Sequence, residues 1–123
     1  MTQKILILED DLERITWFYD KLKDDEVTIV NNAQMAKSAL YSVKFDLIFL
    51  DHDLGGEAFV NSEHPNTGWQ VAKEIPHTPN HGTNVFIHSW NTGAAKRMEA
   101  FLKDCDEYTG MVSKAQFGNF DLQ

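Results

Sequence analysis

Two short apolar runs, each ended by acidic residues, constrain the fold of this chain more than any other feature. Lys4 to Glu9 reads KILILE, and Phe45 to Asp51 reads FDLIFLD. Neither run alternates between polar and apolar residues, which is typical of strands buried on both faces of a parallel sheet. Parallel neighbours need a crossover connection, usually a helix, so each run should be followed by a helical segment.

Strand and helix patterns alternate along the rest of the chain. We predict a doubly wound α/β fold for residues 1–123, with a five-stranded parallel sheet in the order 2-1-3-4-5. The last ten residues are KAQFGNFDLQ, and they predict a final helix that is short or missing. Apolar surface near the fifth strand would then be uncovered, so we expect the tail or a second copy of the chain to cover it. The other predicted strands are 26–30, 84–89 and 109–113, and the helices are 12–23, 33–43, 67–75 and 93–105.

Composition bounds the class of protein. A length of 123 residues fits one domain, and an apolar fraction of 42% is sufficient for a core. No run approaches the roughly 18 apolar residues of a membrane span, and the first residues are unlike a signal peptide, so we expect a cytoplasmic protein. The net charge of −8 argues against non-specific binding to DNA. The single Cys105 cannot form an internal disulfide and is expected to be a buried apolar residue.

Polar residues gather where the predicted strands end. In an open α/β sheet, ligands bind beyond the carboxyl ends of the strands, where the strand order reverses. Five carboxylates at two neighbouring ends repel one another, and a hard cation such as Mg²⁺ would neutralise them. Asp11 taken alone is better explained as a helix cap. The residues at these ends are Glu9, Asp10 and Asp11; Asp51, His52 and Asp53; His88, Ser89 and Asn91; and Lys114.

The segments KILILEDDLER and FDLIFLDHDLGG resemble the first- and third-strand motifs of response-regulator receiver domains, and the resemblance covers nearly the whole chain. It implies that Glu9 and Asp10 form the acidic pair and that Asp10 ligates the metal. It also implies that Asp51 is the phosphate-accepting aspartate and that a backbone carbonyl at Asp53 completes the metal site. By the same resemblance, Ser89 contacts phosphoryl oxygens and Lys114 neutralises them.

Several departures from that pattern are informative. Gly55-Gly56 replaces the usual proline, Trp90 replaces a small residue, and Lys114 is followed by Ala115 instead of proline, which puts the role of Lys114 in doubt. The LDHDLGG and HSWN segments resemble a divergent family, the cyclic-phosphate-processing receiver domains. That resemblance implies action on cyclic phosphate ends of RNA.

Two histidines bear on the choice of function. A plain phosphate acceptor needs no titrating imidazole, whereas a phosphodiester hydrolase benefits from His52 or His88 as a proton carrier. The structural alternative for each is a ring hydrogen-bonded to its neighbours. Asn91 is either a phosphate ligand or, as we favour, a helix cap. His77 and His81 flank a proline in a loop, which makes a zinc site improbable.

Three functions remain open on the sequence. The first is a Mg²⁺-dependent hydrolase of a small phosphodiester such as a 2′,3′-cyclic phosphate, with Asp51, His52 and His88 as catalytic residues. In it, Glu9, Asp10, Asp51 and Asp53 form the metal site. Ser89, Asn91 and Lys114 hold the phosphate. The second is a signalling receiver phosphorylated on Asp51 by a histidine kinase. The third is a receiver remnant that only docks to a partner, and fold alone cannot choose between them.

Overall fold

The computed structural model describes residues 2–54, 61–89 and 91–115. Its elements alternate as the sequence predicts, and a 3₁₀ turn at Ile75–His77 follows the third helix. The strands are β1 (Lys4–Leu8), β2 (Glu26–Val30), β3 (Leu47–Leu50), β4 (Asn84–His88) and β5 (Val112–Ala115). The helices are α1 (Leu12–Lys21), α2 (Ala33–Ser42), α3 (Gly68–Ala72) and α4 (Thr92–Asp104).

All strand pairs are parallel, and the sheet order is β2-β1-β3-β4-β5, which confirms the predicted topology. Leu8 pairs with Leu50 across β1 and β3, so these two strands end at the same level. The residues that follow them therefore meet at one edge of the sheet, where β1 lies between β2 and β3. This edge is the switch point at which the sequence analysis placed the ligand site.

Side-chain caps begin three of the helices. Asp11, Asn32 and Asn91 accept a hydrogen bond from the backbone N–H three residues ahead, on Arg14, Met35 and Ala94. Each satisfies a donor that the first helical turn would leave unpaired. The preference for Asn91 as a cap is confirmed.

The sequence places Leu12, Ile15, Tyr19 and Leu22 on one inward stripe of α1 at helical spacing, and this prediction was wrong for Leu12 and Tyr19. Leu12 is 78% exposed and Tyr19 is 53% exposed, whereas Phe18 and Leu22 are buried. The helix is rotated because Phe18 packs on Phe49 of β3, with ring centroids 5.1 Å apart. Burying that aromatic pair removes more apolar surface from water than burying Leu12 would.

The sheet separates two apolar clusters. The larger one lies on the side covered by α2, α3 and α4, and the smaller one joins Ile5, Ile7, Phe18, Leu22 and Phe49 beneath α1. Phe86 and Trp17 are only partly buried at the margin of the smaller cluster. The final residues 116–123, for which the sequence predicts a short or missing helix, lie outside the described residues, and the predicted second copy stays a prediction. Among the described helices, none is long and apolar enough to cross a membrane.

Candidate metal and phosphate site

Three carboxylates meet at the ends of β1 and β3. Glu9, Asp10 and Asp51 each place an oxygen within 4.8 Å of the others, and we call this group the acidic cluster. Glu9 and Asp51 are almost completely buried, whereas Asp10 is half-buried. Oxygen ligands at this spacing suit a hard divalent cation, which the sequence analysis expected here.

The backbone at the end of β1 fixes the carboxylate of Glu9. Its Oε2 accepts hydrogen bonds from the backbone N–H groups of Asp10 and Asp11, both at 3.0 Å. Its Oε1 has no hydrogen-bond partner and lies 3.2 Å from Nε of Arg14. Burial raises the pKa of Glu9, and the two N–H groups and Arg14 only partly offset that effect.

The carboxyl group of Asp51 has a strongly raised pKa. Burial, and next the negative charge of Glu9, raise the pKa of Asp51 to about 8. Its Oδ2 is buried without a hydrogen bond, and Nη2 of Arg14 is 3.7 Å away. A buried carboxylate in this state is destabilised when ionised, so a bound cation would be favourable. The donor set and its unsatisfied oxygens therefore fit Mg²⁺.

His52 follows Asp51 directly but belongs to a second group. Its Nδ1 is 2.7 Å from Oδ1 of Asp53, and its Nε2 is 2.8 Å from Oγ of Ser62. We call Asp53, His52 and Ser62 the histidine array. All three are buried, and Nη1 of Arg97 lies 3.4 Å from the Ser62 hydroxyl. With Nδ1–H donated to Asp53, Nε2 accepts the proton of the Ser62 hydroxyl, which is an arrangement suited to proton transfer.

Gly68 allows α3 to begin against the end of β3. Its N–H donates to the carbonyl oxygen of His52 at 3.0 Å. A Cβ at this position would lie 2.1 Å from the carbonyl oxygen of Asp51. Glycine is therefore required for this close approach, which holds Asp51 and His52 in place from the side of α3.

His88 lies beneath the acidic cluster and is completely buried. Its Nδ1 is 3.5 Å from Oε1 of Glu9, and its ring packs against Phe18 with centroids 5.3 Å apart. Burial, with a smaller effect of Arg14, lowers the pKa of His88 to about 3. The imidazole is therefore neutral at physiological pH and enclosed by apolar rings.

The other sequence-predicted residues lie at varying distances from the cluster. Ser89 is buried after β4, and its hydroxyl accepts a hydrogen bond from the N–H of Asn91. Nδ2 of Asn91 is 3.4 Å from Oδ1 of Asp53, the same oxygen that lies 2.7 Å from Nδ1 of His52. Lys114 lies on β5, where it pairs with Ile87 of β4, and its side chain is exposed. Its role in neutralising phosphate oxygens stays a prediction.

Sequence reasoning missed Arg14 and Ser62. Arg14 carried a usable signal, because a cation in the first turn of a helix is disfavoured by the helix dipole unless an acid compensates it. Ser62 carried none, since it reaches His52 from ten residues further along a loop without periodicity.

A profile of the family described as the cyclic-phosphate processing receiver domain matches residues 5–104. The chain belongs to this family. No curated protein sequence matches the chain.

Solved receiver domains share the fold. One is the receiver domain of a sensor histidine kinase from Pseudomonas aeruginosa with a magnesium ion in its active-site cleft (TM-score 0.68, 19% identity, 98% of this chain and 88% of that one). Another is the receiver domain of HemR from Leptospira biflexa (0.66, 20%, 97% and 84%). A third is the response regulator TrrA from Thermotoga maritima in complex with Mg²⁺ and BeF (0.64, 19%, 98% and 91%).

Proposed function

We propose that this domain is a Mg²⁺-dependent hydrolase that opens a small phosphodiester, such as a nucleoside 2′,3′-cyclic phosphate. The observation that carries the proposal is the juxtaposition, at one end of β3, of the acidic cluster and the histidine array. The first offers oxygen ligands for a cation, and the second offers a buried imidazole hydrogen-bonded to a hydroxyl. The family description, cyclic-phosphate processing, agrees with this pairing.

The metal would be held by Asp10 and Asp51, with Glu9 behind them. At this position Mg²⁺ would supply Lewis-acid polarisation of the phosphate. Glu9 has one oxygen fixed by backbone N–H groups, so it would orient the other two carboxylates and their solvent. A backbone carbonyl near Asp53 remains the further ligand that the receiver resemblance implies.

Hydrolysis of a cyclic phosphate consumes one water, breaks one P–O ester bond and places a proton on the departing ribose oxygen. We assign the proton transfer to His52, because its Nε2 lies 2.8 Å from the Ser62 hydroxyl while its Nδ1 lies 2.7 Å from Oδ1 of Asp53. We assign His88 a packing role beside Glu9, because its ring is completely buried against Phe18 and its pKa of about 3 keeps it from serving as an imidazolium acid near neutrality. Ser89 remains the candidate for holding phosphate oxygens, because Asn91 already caps α4 through Oδ1 and has its Nδ2 3.4 Å from Oδ1 of Asp53.

One observation favours a second function, phosphorylation of Asp51 as in a signalling receiver. Oδ2 of Asp51 is buried without a hydrogen bond at the carboxyl end of β3, and the fold is that of receiver domains. Under this function a histidine kinase would supply the phosphoryl group, and the histidine array would only anchor the loop that carries Ser62.

A two-substrate experiment tests the choice. The protein is incubated with Mg²⁺ and adenosine 2′,3′-cyclic phosphate, and separately with acetyl phosphate. The hydrolase predicts adenosine monophosphate as product, lost on chelation of the metal and in Asp51→Asn, but retained in the matched control Asp20→Asn on the exposed side of α1. A stable phosphoryl group on Asp51 with no opening of the cyclic phosphate would overturn the hydrolase and support the switch.

A further inference from the structure

Arg14 places a cation inside the group of carboxylates that would hold the metal. Its Nε is 3.2 Å from Oε1 of Glu9, and its Nη2 is 3.7 Å from Oδ2 of Asp51. The Arg14 side chain is 19% exposed, while those of Glu9 and Asp51 are at most 3% exposed. The guanidinium therefore lies at the border between the buried carboxylates and solvent.

The carboxylate oxygens that Arg14 approaches are otherwise unsatisfied. Oε1 of Glu9 and Oδ2 of Asp51 are buried and accept no hydrogen bond. Among the described residues, Arg14 is the permanently charged side chain that forms an ion pair with Glu9 and with Asp51. In the metal-free protein this arginine supplies the positive charge that a cation would otherwise provide.

Binding of a divalent cation would change this balance. Three carboxylates, one Mg²⁺ and one guanidinium sum to a formal charge of zero, whereas without the arginine the sum is −1. An anionic phosphate would then meet a negatively charged site. Lys114, the cation that the receiver resemblance suggests for this task, has an exposed side chain on the edge strand β5.

We propose that Arg14 is the phosphate-binding cation of the site: it screens Glu9 and Asp51 in the metal-free protein and presents its guanidinium to phosphate oxygens once Mg²⁺ is bound. The inference rests on the metal site of the proposed function but not on turnover. A guanidinium has five donors in a planar fork that matches phosphate geometry, so it can serve a carboxylate and a phosphate oxygen together. The two ligands then bind cooperatively, because the metal releases the arginine from competing carboxylates.

The proposal is tested by two titrations with opposite expected signs. Mg²⁺ alone is titrated into the parent, Arg14→Gln and Arg14→Lys by calorimetry, and inorganic phosphate is then titrated at saturating Mg²⁺. In Arg14→Gln we expect tighter Mg²⁺ binding, because a competing positive charge is gone. We expect phosphate to bind about 10- to 100-fold more weakly, as for loss of a charge-assisted hydrogen bond. Arg14→Lys keeps the positive charge and serves as a second variant in case Arg14→Gln does not fold. We expect its loss of phosphate affinity to be intermediate.

Lys21→Gln is the matched control, since it makes the same charge change at an exposed position in the last turn of α1. It should leave both affinities unchanged. If the parent binds Mg²⁺ and phosphate but Arg14→Gln binds phosphate as tightly as the parent, the inference is wrong and the metal site stands. If the parent binds no Mg²⁺, the metal site of the proposed function and the inference are both overturned.

Discussion

Asp51 and His52 are adjacent in sequence, yet they belong to two regions with opposite hydrogen-bonding states. The acidic cluster around Asp51 leaves two buried carboxylate oxygens without a hydrogen bond. In the histidine array both ring nitrogens of His52 are bonded, at 2.7 and 2.8 Å. Both residues lie just beyond the end of β3 at Leu50, and each contacts a different set of side chains.

The difference teaches how the two regions are stabilised. The array is complete within the protein, so it supports a fixed geometry for Asp53 and Ser62. The cluster contains mutually repelling carboxylates that burial destabilises further, and Arg14 offsets this only in part. A ligand that supplies positive charge would therefore act mainly on the cluster, while chemistry that needs a positioned imidazole would depend on the array.

Removing the imidazole should produce the largest effect and separate the two regions. In His52→Gln we expect turnover of a 2′,3′-cyclic phosphate to fall by about 10²–10⁴-fold, as for loss of a proton-transfer group. Mg²⁺ affinity should be unchanged, because His52 does not belong to the cluster. Rates are measured below the melting temperature, with His81→Gln in an exposed loop as the control. If His52→Gln turns over the substrate at the rate of the parent, the histidine array has a structural role and takes no part in catalysis.

Disturbing the shared support should damage both regions together. In Gly68→Ala the new Cβ would lie 2.1 Å from the carbonyl oxygen of Asp51, and backbone must move to relieve the contact. We expect the free energy of unfolding to fall by roughly 2–3 kcal/mol, as for an overpacked site, and Mg²⁺ binding to weaken as well. Gly93→Ala is the control, because its Cβ would lie 4.0 Å from the nearest atom outside its own helical turn. Equal melting temperatures for Gly68→Ala and the parent would show that the close approach is dispensable.

The acidic cluster could be predicted from the sequence, whereas the histidine array could not. Glu9 and Asp51 each follow an apolar run, and parallel neighbours bring their carboxyl ends to the same edge, so the two carboxylates had to meet. The array depends on where the loop after β3 returns, and no periodic pattern fixes the path of such a loop. His52 was a candidate on the sequence, but its contact with Ser62 had no signal in the residue types.

The α1 face shows a similar limit. Leu12, Ile15, Tyr19 and Leu22 fall on one stripe at helical spacing, and the consecutive Trp17, Phe18 and Tyr19 cannot all face the core. Contact with Phe49 on β3 decides the rotation of the helix, and that contact is tertiary. Patterning therefore gave the element and its length but not its orientation.

Neutralising one carboxylate should stabilise the metal-free cluster. Because its pKa is raised from 3.8 to about 8, Asp51 must take up a proton on folding at pH 7, and Asp51→Asn removes the cost of that uptake, so we expect the free energy of unfolding at pH 7 to rise by on the order of 2 kcal/mol. The same change should abolish stabilisation by Mg²⁺. Urea unfolding with and without Mg²⁺ measures both, and Asp20→Asn is again the exposed control. An Asp51→Asn variant that unfolds like the parent under both conditions would contradict the account of the cluster.

The smallest expected effect is the pH dependence of stability, which follows from opposed shifts in the pKa values of buried groups. The folded pKa of Asp51 is raised to about 8 from 3.8, so between these values the folded state binds more protons than the unfolded state, and stability falls as pH rises. The folded pKa of His88 is lowered to about 3 from 6.5, so between those values stability rises with pH.

Below about pH 6.5 the contribution of His88 opposes those of Asp51 and of Glu9, whose pKa is also raised, and between 6.5 and 8 the change due to His88 is complete while that due to Asp51 continues. We therefore expect the metal-free parent to lose stability from pH 6.5 to 8, with a slope approaching 1.4 kcal/mol per pH unit for one full proton. In Asp51→Asn the loss of stability from pH 6.5 to 8 should be smaller than in the parent, because Asp51 no longer titrates and only the raised pKa of Glu9 still acts in that direction. Denaturant unfolding at half-unit steps of pH measures both curves. If the stability of the parent stays level from pH 6.5 to 8, the Asp51 carboxylate is already ionised at neutral pH. The contrast between the acidic cluster and the histidine array would then rest on geometry alone.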